Sequence, residues 1–276
     1  MKMHHIRLGH GKPLLLIHGI GGSWRSWNTV LDGLSAKRQV IALDLPGHGQ
    51  TPKLEGENSI YTLVDAVTTW LEENDLLGVD CVGSSMGARL VLELARRGKV
   101  GAVVSLDPGG FWEGWQVPFF YYAVAGSVRL VRLLQPVMPA ITKSALGRTV
   151  LLAQFSVRPW RIPAEVALIE MRSFAHTSNF DELLSQLAHG RKQEGAPRGS
   201  LPAPLVIGWG RQDRVCLPSQ AHRATAAFPD ATLYWFDKCG HFPHWDQPEE
   251  TVQLILSVTS QENAPVATNQ EARTAR

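Results

Sequence analysis

With 276 residues, 44% of them hydrophobic and 19% charged, the chain can bury a substantial core, which excludes an intrinsically disordered protein. The formal net charge is only +2 and the Lys and Arg residues are scattered, so no basic stripe forms that could neutralise a run of phosphates, and nucleic acid is excluded as a partner. Cys81, Cys216 and Cys239 are widely spaced and form no CxxC pair, which reads as free structural thiols in a reducing compartment.

Along the chain, residues 1–7 lack the apolar segment of a secretory signal, and a cytoplasmic location is expected. Short apolar runs then read as strands: Leu14 to His18, Val40 to Leu43, Val79 to Val82, Val100 to Leu106, Leu205 to Trp209 and Thr232 to Phe236, all expected to be buried on both faces. Tyr61 to Glu73 places Leu63, Val64, Val67, Trp70 and Leu71 at helical spacing, and a second helix follows Ser85 and stops at Gly98. Strands alternating with helices imply a parallel sheet covered on both sides. The alternation fails between Gly109-Gly110 and Gly199, where the residues read as helices and loops. The expected organisation is a core of residues 1–110 and 199–260, a helical cap of residues 111–198 inserted into it, and a disordered tail of residues 261–276. The apolar stretch from Val117 to Ile141 is interrupted by Arg129, Arg132, Pro136 and Pro139, so no membrane span is expected there.

The pattern G-x-S-x-G occurs as Gly83-Ser84-Ser85-Met86-Gly87, directly after a strand and before a helix. A turn that sharp forces the serine into a strained conformation with its hydroxyl exposed, and glycines two residues either side remove the collisions. Ser85 is therefore the expected nucleophile. The backbone N–H of Met86, at the positive end of the following helix, is positioned for a developing oxyanion.

A serine hydroxyl needs an imidazole to take its proton and a carboxylate to orient the imidazole. His241 follows the last strand and precedes the helix opened by Pro248, so it is the expected base; nearby His244, after Phe242-Pro243, is better suited to the rim. Asp213 lies in the loop leaving the carboxyl end of a buried strand and is the expected acid, with Asp107 its rival after the preceding strand. The glycine-rich turn His18-Gly19-Ile20-Gly21-Gly22-Ser23 offers further backbone N–H groups; Ile20 is the choice for the second oxyanion donor, and His18 is expected only to hold the loop.

The segments HGIGGS (18–23), DLPGHGQT (44–51), GSSMGA (83–88), WGRQDRV (209–215) and CGHFPHWDQPEE (239–250), in that order, resemble the α/β-hydrolase superfamily. The resemblance implies a mostly parallel central sheet flanked by helices, with an inserted helical cap, and a serine hydrolase that needs no metal or organic cofactor. Ser85 argues against the haloalkane dehalogenases and epoxide hydrolases, which carry aspartate at that position. Serine-dependent C–C bond hydrolases of aromatic ring cleavage are also similar, but usually have tryptophan after the catalytic histidine, where this chain has Phe242. A carboxylic ester or lactone of a small, largely apolar molecule is the favoured substrate, a C–C hydrolase of a vinylogous diketone the alternative, and a non-catalytic small-molecule receptor a third. Trp112, Trp115 and Phe119, from a dense aromatic cluster (Phe111, Trp112, Trp115, Phe119, Phe120, Tyr121, Tyr122) that otherwise packs the cap onto the core, and Phe242 beside His241 are the expected substrate contacts.

Overall fold

A computed structural model describes residues 2–259; the tail expected at 261–276 lies outside the described residues. Seven strands form one sheet: β1 (His5–Leu8), β2 (Pro13–Ile17), β3 (Gln39–Leu43), β4 (Asp80–Ser84), β5 (Val103–Leu106), β6 (Leu205–Gly210) and β7 (Thr232–Phe236), in the order β1-β3-β2-β4-β5-β6-β7. All pairings are parallel except β1 with β3. The central strands are buried on both faces because their continuous apolar runs serve two cores: Leu15 and Ile17 of β2 point to one side, Leu14 and Leu16 to the other. Each such side chain contributes about 1.5–3 kcal/mol by leaving water.

Two details depart from the expected pattern. β1 reads His-Ile-Arg-Leu, too short and too polar to register as a strand, because it is an edge strand with its side chains partly or fully exposed. β7 is likewise an edge, and Thr232 to Trp235 are half-buried rather than enclosed on both faces.

Helices α1 (Leu31–Ser35) and α11 (Pro248–Thr259) cover one face, α2 (Ile60–Glu73), α3 (Met86–Arg96) and α9 (Ala221–Ala227) the other, and α10 (Pro243–Asp246) precedes α11. α2 starts where it does because Ser59 and Thr62 cap each other: Ser59 Oγ accepts from the Thr62 N–H, and Thr62 Oγ1 from the Ser59 N–H at 2.9 Å. Between β5 and β6 the described residues are helical: α4 (Gln116–Leu133), α5 (Met138–Lys143), α6 (Ala145–Leu152), α7 (Ala164–His176) and α8 (Phe180–His189). α4 packs against α7 and α8, and this insert closes over the carboxyl end of the sheet.

The topology fixes where a site can form. The chain leaves β2 for β3 on one side, then returns to place β4 on the other, which opens a crevice between the carboxyl ends of β2 and β4. Ile17 pairs with Gly83 across that boundary, so the glycine turn after β2 and Ser85 after β4 emerge side by side.

Candidate active site

Ser85 sits between β4 and α3 with φ +56° and ψ −113°, a left-handed conformation that costs a non-glycine residue about 1–3 kcal/mol. The flanking glycines allow it. A Cβ on Gly83 would lie 2.2 Å from the Gly87 carbonyl oxygen, and one on Gly87 would lie 2.2 Å from that of Ile17. Ser85 occupies the cap position of α3 but its side chain makes no capping bond, so the hydroxyl is free for other partners.

Its partner is His241, whose Nε2 lies 2.8 Å from Ser85 Oγ, while Nδ1 lies 2.8 Å from Asp213 Oδ2. Asp213 Oδ1 accepts the backbone N–H groups of Val215 and Cys216 at 2.7 and 3.1 Å, which fixes the carboxylate. All three residues are buried. The structure thus brings Ser85, His241 and Asp213, read separately from the sequence, into one hydrogen-bonded line.

Neither rival bonds to the Ser85–His241 pair. Asp107 has φ +48° and its Oδ1 accepts from the Gly210 N–H at 2.8 Å. Complete burial and the neighbouring charge of Asp213 push its carboxyl well above the usual carboxylate range. His244, expected at the rim, is instead buried with its ring 5.0 Å from that of Trp27, and burial pushes its imidazole down to about 3. His18 holds the turn after β2: its Nδ1–H donates to the Gly19 carbonyl at 2.7 Å and its Nε2 accepts the Leu45 N–H at 3.1 Å. That bonding keeps the ring neutral, and burial lowers its pKa to about 4.

The Gly19 backbone packs beside the Ser85 side chain, and Ile20 lines the same cavity as Ser85 and His241. Met86 is the first residue of α3, where an N–H has no intrahelical partner. The cavity, about 30 Å³ as it stands, is walled by Phe120, Val124, Val128 and Val131 of α4 together with Phe155, Phe174, Phe180, Val215 and Phe242.

Of the aromatic contacts expected from sequence, Phe242 lines this cavity and the other three do not. Trp112 stacks on Phe120 at 4.0 Å, whereas Trp115 and Phe119 face solvent at 65% and 41% exposure. The physical reason is helical phase: α4 turns Phe120, Val124, Val128 and Val131 inward, which carries Trp115 and Phe119 to the opposite side. That i, i+4, i+8, i+11 series is readable in the sequence once a helix is placed there. Phe155, Phe174 and Phe180 come from separate elements and carry no such signal.

Among the described residues, Asp213, Cys216 and His241 have ligand atoms within 4.8 Å of one another. They make a poor metal site, since both His241 nitrogens are engaged and burial, reinforced by Asp213, pushes the Cys216 thiol well up, away from the thiolate a metal needs.

The loop carrying His241 is tied to the insert. The Phe155 carbonyl accepts the His241 N–H at 2.8 Å, and Asp246 accepts from Ser156 Oγ at 2.5 Å, the Val157 N–H at 3.0 Å and the Gly240 N–H at 2.8 Å. Replacing Asp246 with alanine orphans two buried donors and one half-buried one, and a destabilisation of about 3–5 kcal/mol is expected in urea melts, with Asp246→Asn losing less.

A second cavity of about 10 Å³, room for one water, adjoins the first at Gly19, Ile20, Phe174 and Phe242. Ser84, Glu170, His244 and Trp245 line it, and each carries a buried polar atom without a protein partner. Burial raises the Glu170 carboxyl to about 7, against an opposing hydrogen bond from Ser26. The unfolded chain ionises at the ordinary carboxylate pKa, so stability falls as pH rises from about 4.5 to 7 and then stays lower by about 3 kcal/mol. Glu170→Gln is therefore expected to melt like the parent at pH 4 and above it at pH 8; identical shifts at both would place the ionisation elsewhere.

The sequence matches the Alpha/beta hydrolase family over residues 14–254. The chain belongs to that family. This hydrolase-family chain is 28% identical over 254 residues to the dihydrolipoyllysine-residue acetyltransferase component of an acetoin cleaving system from Pseudomonas putida, covering 90% of the chain but only 63% of that longer protein. It is 26% identical over 266 residues to a 2-hydroxy-6-oxononadienedioate/2-hydroxy-6-oxononatrienedioate hydrolase of Pseudomonas putida, with 93% and 91% of the two chains covered. The fold is also that of a thermophilic esterase from Thermogutta terrifontis, with a TM-score of 0.71 at 18% identity over 92% of each chain.

Proposed function

We propose that this protein hydrolyses carboxylic esters or lactones of largely apolar molecules through an acyl-enzyme on Ser85. The observation that carries the reading is the Ser85–His241–Asp213 line, with both hydrogen bonds at 2.8 Å, opening into an apolar cavity. His241 Nε2 takes the proton of Ser85 Oγ as the oxygen attacks the carbonyl carbon, and Asp213 holds Nδ1–H so that Nε2 is the free acceptor. The N–H groups of Ile20 and Met86 receive the oxyanion, each contributing about 3 kcal/mol to the transition state. Collapse expels the alcohol, protonated by His241; a water deprotonated by the same nitrogen then releases the acid and restores Ser85.

The insert acts as a cap that excludes water, with Phe120, Phe155, Phe174 and Phe242 as the apolar contacts. C–C hydrolysis of a dioate is disfavoured by the cavity wall, which holds no cation to receive a carboxylate. The three free, buried thiols fit a reducing compartment such as the cytoplasm. A panel of p-nitrophenyl esters of graded chain length, run beside a vinylogous diketone, tests the reading: ester turnover supports it, and diketone cleavage with esters untouched overturns it. Tight binding of a small molecule without fluorophosphonate labelling of Ser85 would make the protein a receptor.

A further inference from the structure

α4 is apolar on both sides. Its inner face forms the cavity wall, while Trp115, Phe119, Tyr122, Leu130 and Leu133, at i, i+4, i+7, i+15 and i+18, make a stripe in water, with Tyr122 71% and Leu133 76% exposed. The stripe does not end with α4. A groove of about 530 Å³ joins Leu130 to Val150 of α6, where Leu146 and Val150 are 73% and 75% exposed. Ser127, Val131 and Phe155 line both this groove and the cavity that holds Ser85, so the groove adjoins the nucleophile's cavity from the outer side of the insert.

The chain segment that carries this surface has charge of one sign. Between Gly114 and Ala164 the chain carries Arg129, Arg132, Lys143, Arg148, Arg158 and Arg161 and no Asp or Glu. Arg132 is paired with Asp181 of α8, but Arg129, Lys143 and Arg161 are exposed and have no carboxylate partner among the described residues. The scatter of basic residues along the whole sequence conceals this local excess. An exposed apolar stripe bordered by unpaired cations is the composition of an element lying in a membrane interface. A second copy fits poorly, because a symmetric contact would bring the cations against themselves. Among the described residues no single helix is long and apolar enough to cross a membrane; α4 and residues 135–143 pass by length and composition only together, across a bend of 61°.

We propose that the outer face of α4 and α6 docks on an anionic lipid surface, and that the groove between them admits a lipid-soluble substrate from the bilayer to Ser85. Docking stands independently of the esterase reading; admission of substrate rests on it. The cavity of about 30 Å³ has room for only a few waters, so an acyl chain requires α4 to shift, and lipid around its outer face removes the cost of exposing more apolar surface.

The test is flotation of the full chain with phosphatidylcholine vesicles with and without phosphatidylglycerol. The expected result is binding to the anionic vesicles, weakened at about 0.5 M salt, where the Debye length is roughly 4 Å. Tyr122→Ser/Leu133→Ser/Leu146→Ser should bind at least about tenfold more weakly, while its melting temperature and its turnover of a soluble short ester stay near the parent's. Arg129→Gln/Lys143→Gln should lose the preference for anionic vesicles. Failure of the parent to float, or equal flotation of the triple variant, overturns docking, as does a dimer in sedimentation that the triple variant dissolves. Docking without ester turnover would retain the surface and overturn the function instead.

Discussion

Ser85→Ala is expected to lower kcat for a p-nitrophenyl ester by about a million-fold while leaving the fold intact. The reason is geometric: the hydroxyl is the atom that His241 Nε2 meets at 2.8 Å, and the other side chains lining the cavity offer no equivalent, with Ser127 on the opposite wall in α4. What survives is the residual effect of oriented N–H groups and binding, about a thousand-fold or more over water. Alanine also removes the strained φ of +56° no more than serine does, so melting temperatures should stay close. Turnover within about tenfold of the parent would remove Ser85 from the chemistry. Labelling by a fluorophosphonate, followed by digestion, provides the independent check on the same atom.

Asp213→Asn is expected to cost about 10⁴ in kcat, because an amide can present its N–H to His241 Nδ1 and turn the imidazole to the tautomer that cannot accept the Ser85 proton. Asp107→Asn is the matched control. Asp107 makes no bond to His241, and its acceptor to the Gly210 N–H is retained by the amide oxygen, so the loss should be small beside that of Asp213→Asn. The opposite ranking of the two variants would exchange the roles assigned here.

Local chemistry made much of this legible in the sequence. The apolar runs of the central strands announce a doubly covered parallel sheet, and the G-x-S-x-G at a strand-to-helix turn marks Ser85 because only glycine tolerates contacts as close as those at Gly83 and Gly87. The Asp213 and His241 loops follow strands, where topology sends them to one edge. Edge strand β1 was hidden by its polar alternation. The cavity wall was hidden for a different reason: Phe155, Phe174 and Phe180 converge only through tertiary packing of the insert, and the phase of α4 decides that Phe120 faces inward while Trp115 and Phe119 do not. Glu170 gives no sign in sequence that its carboxyl is enclosed, since one acid on an amphipathic helix ordinarily faces water.

The grip of residues 155–157 on the histidine loop divides the insert into a fixed half and a free one. Pulling the fixed half away would break the bonds from His241, Ser156 and Val157 that hold the imidazole beside Ser85, so motion there would disarm the enzyme as it opened. The α4 side makes no hydrogen bond to the imidazole loop among the described residues; its Ser127 Oγ reaches Gln154, just ahead of that grip, so motion of α4 would cost that bond and leave the proton path in place. Opening on that side would leave catalytic readiness untouched between turnovers, and variation along α4 would retune which molecules pass while the chemistry stays the same.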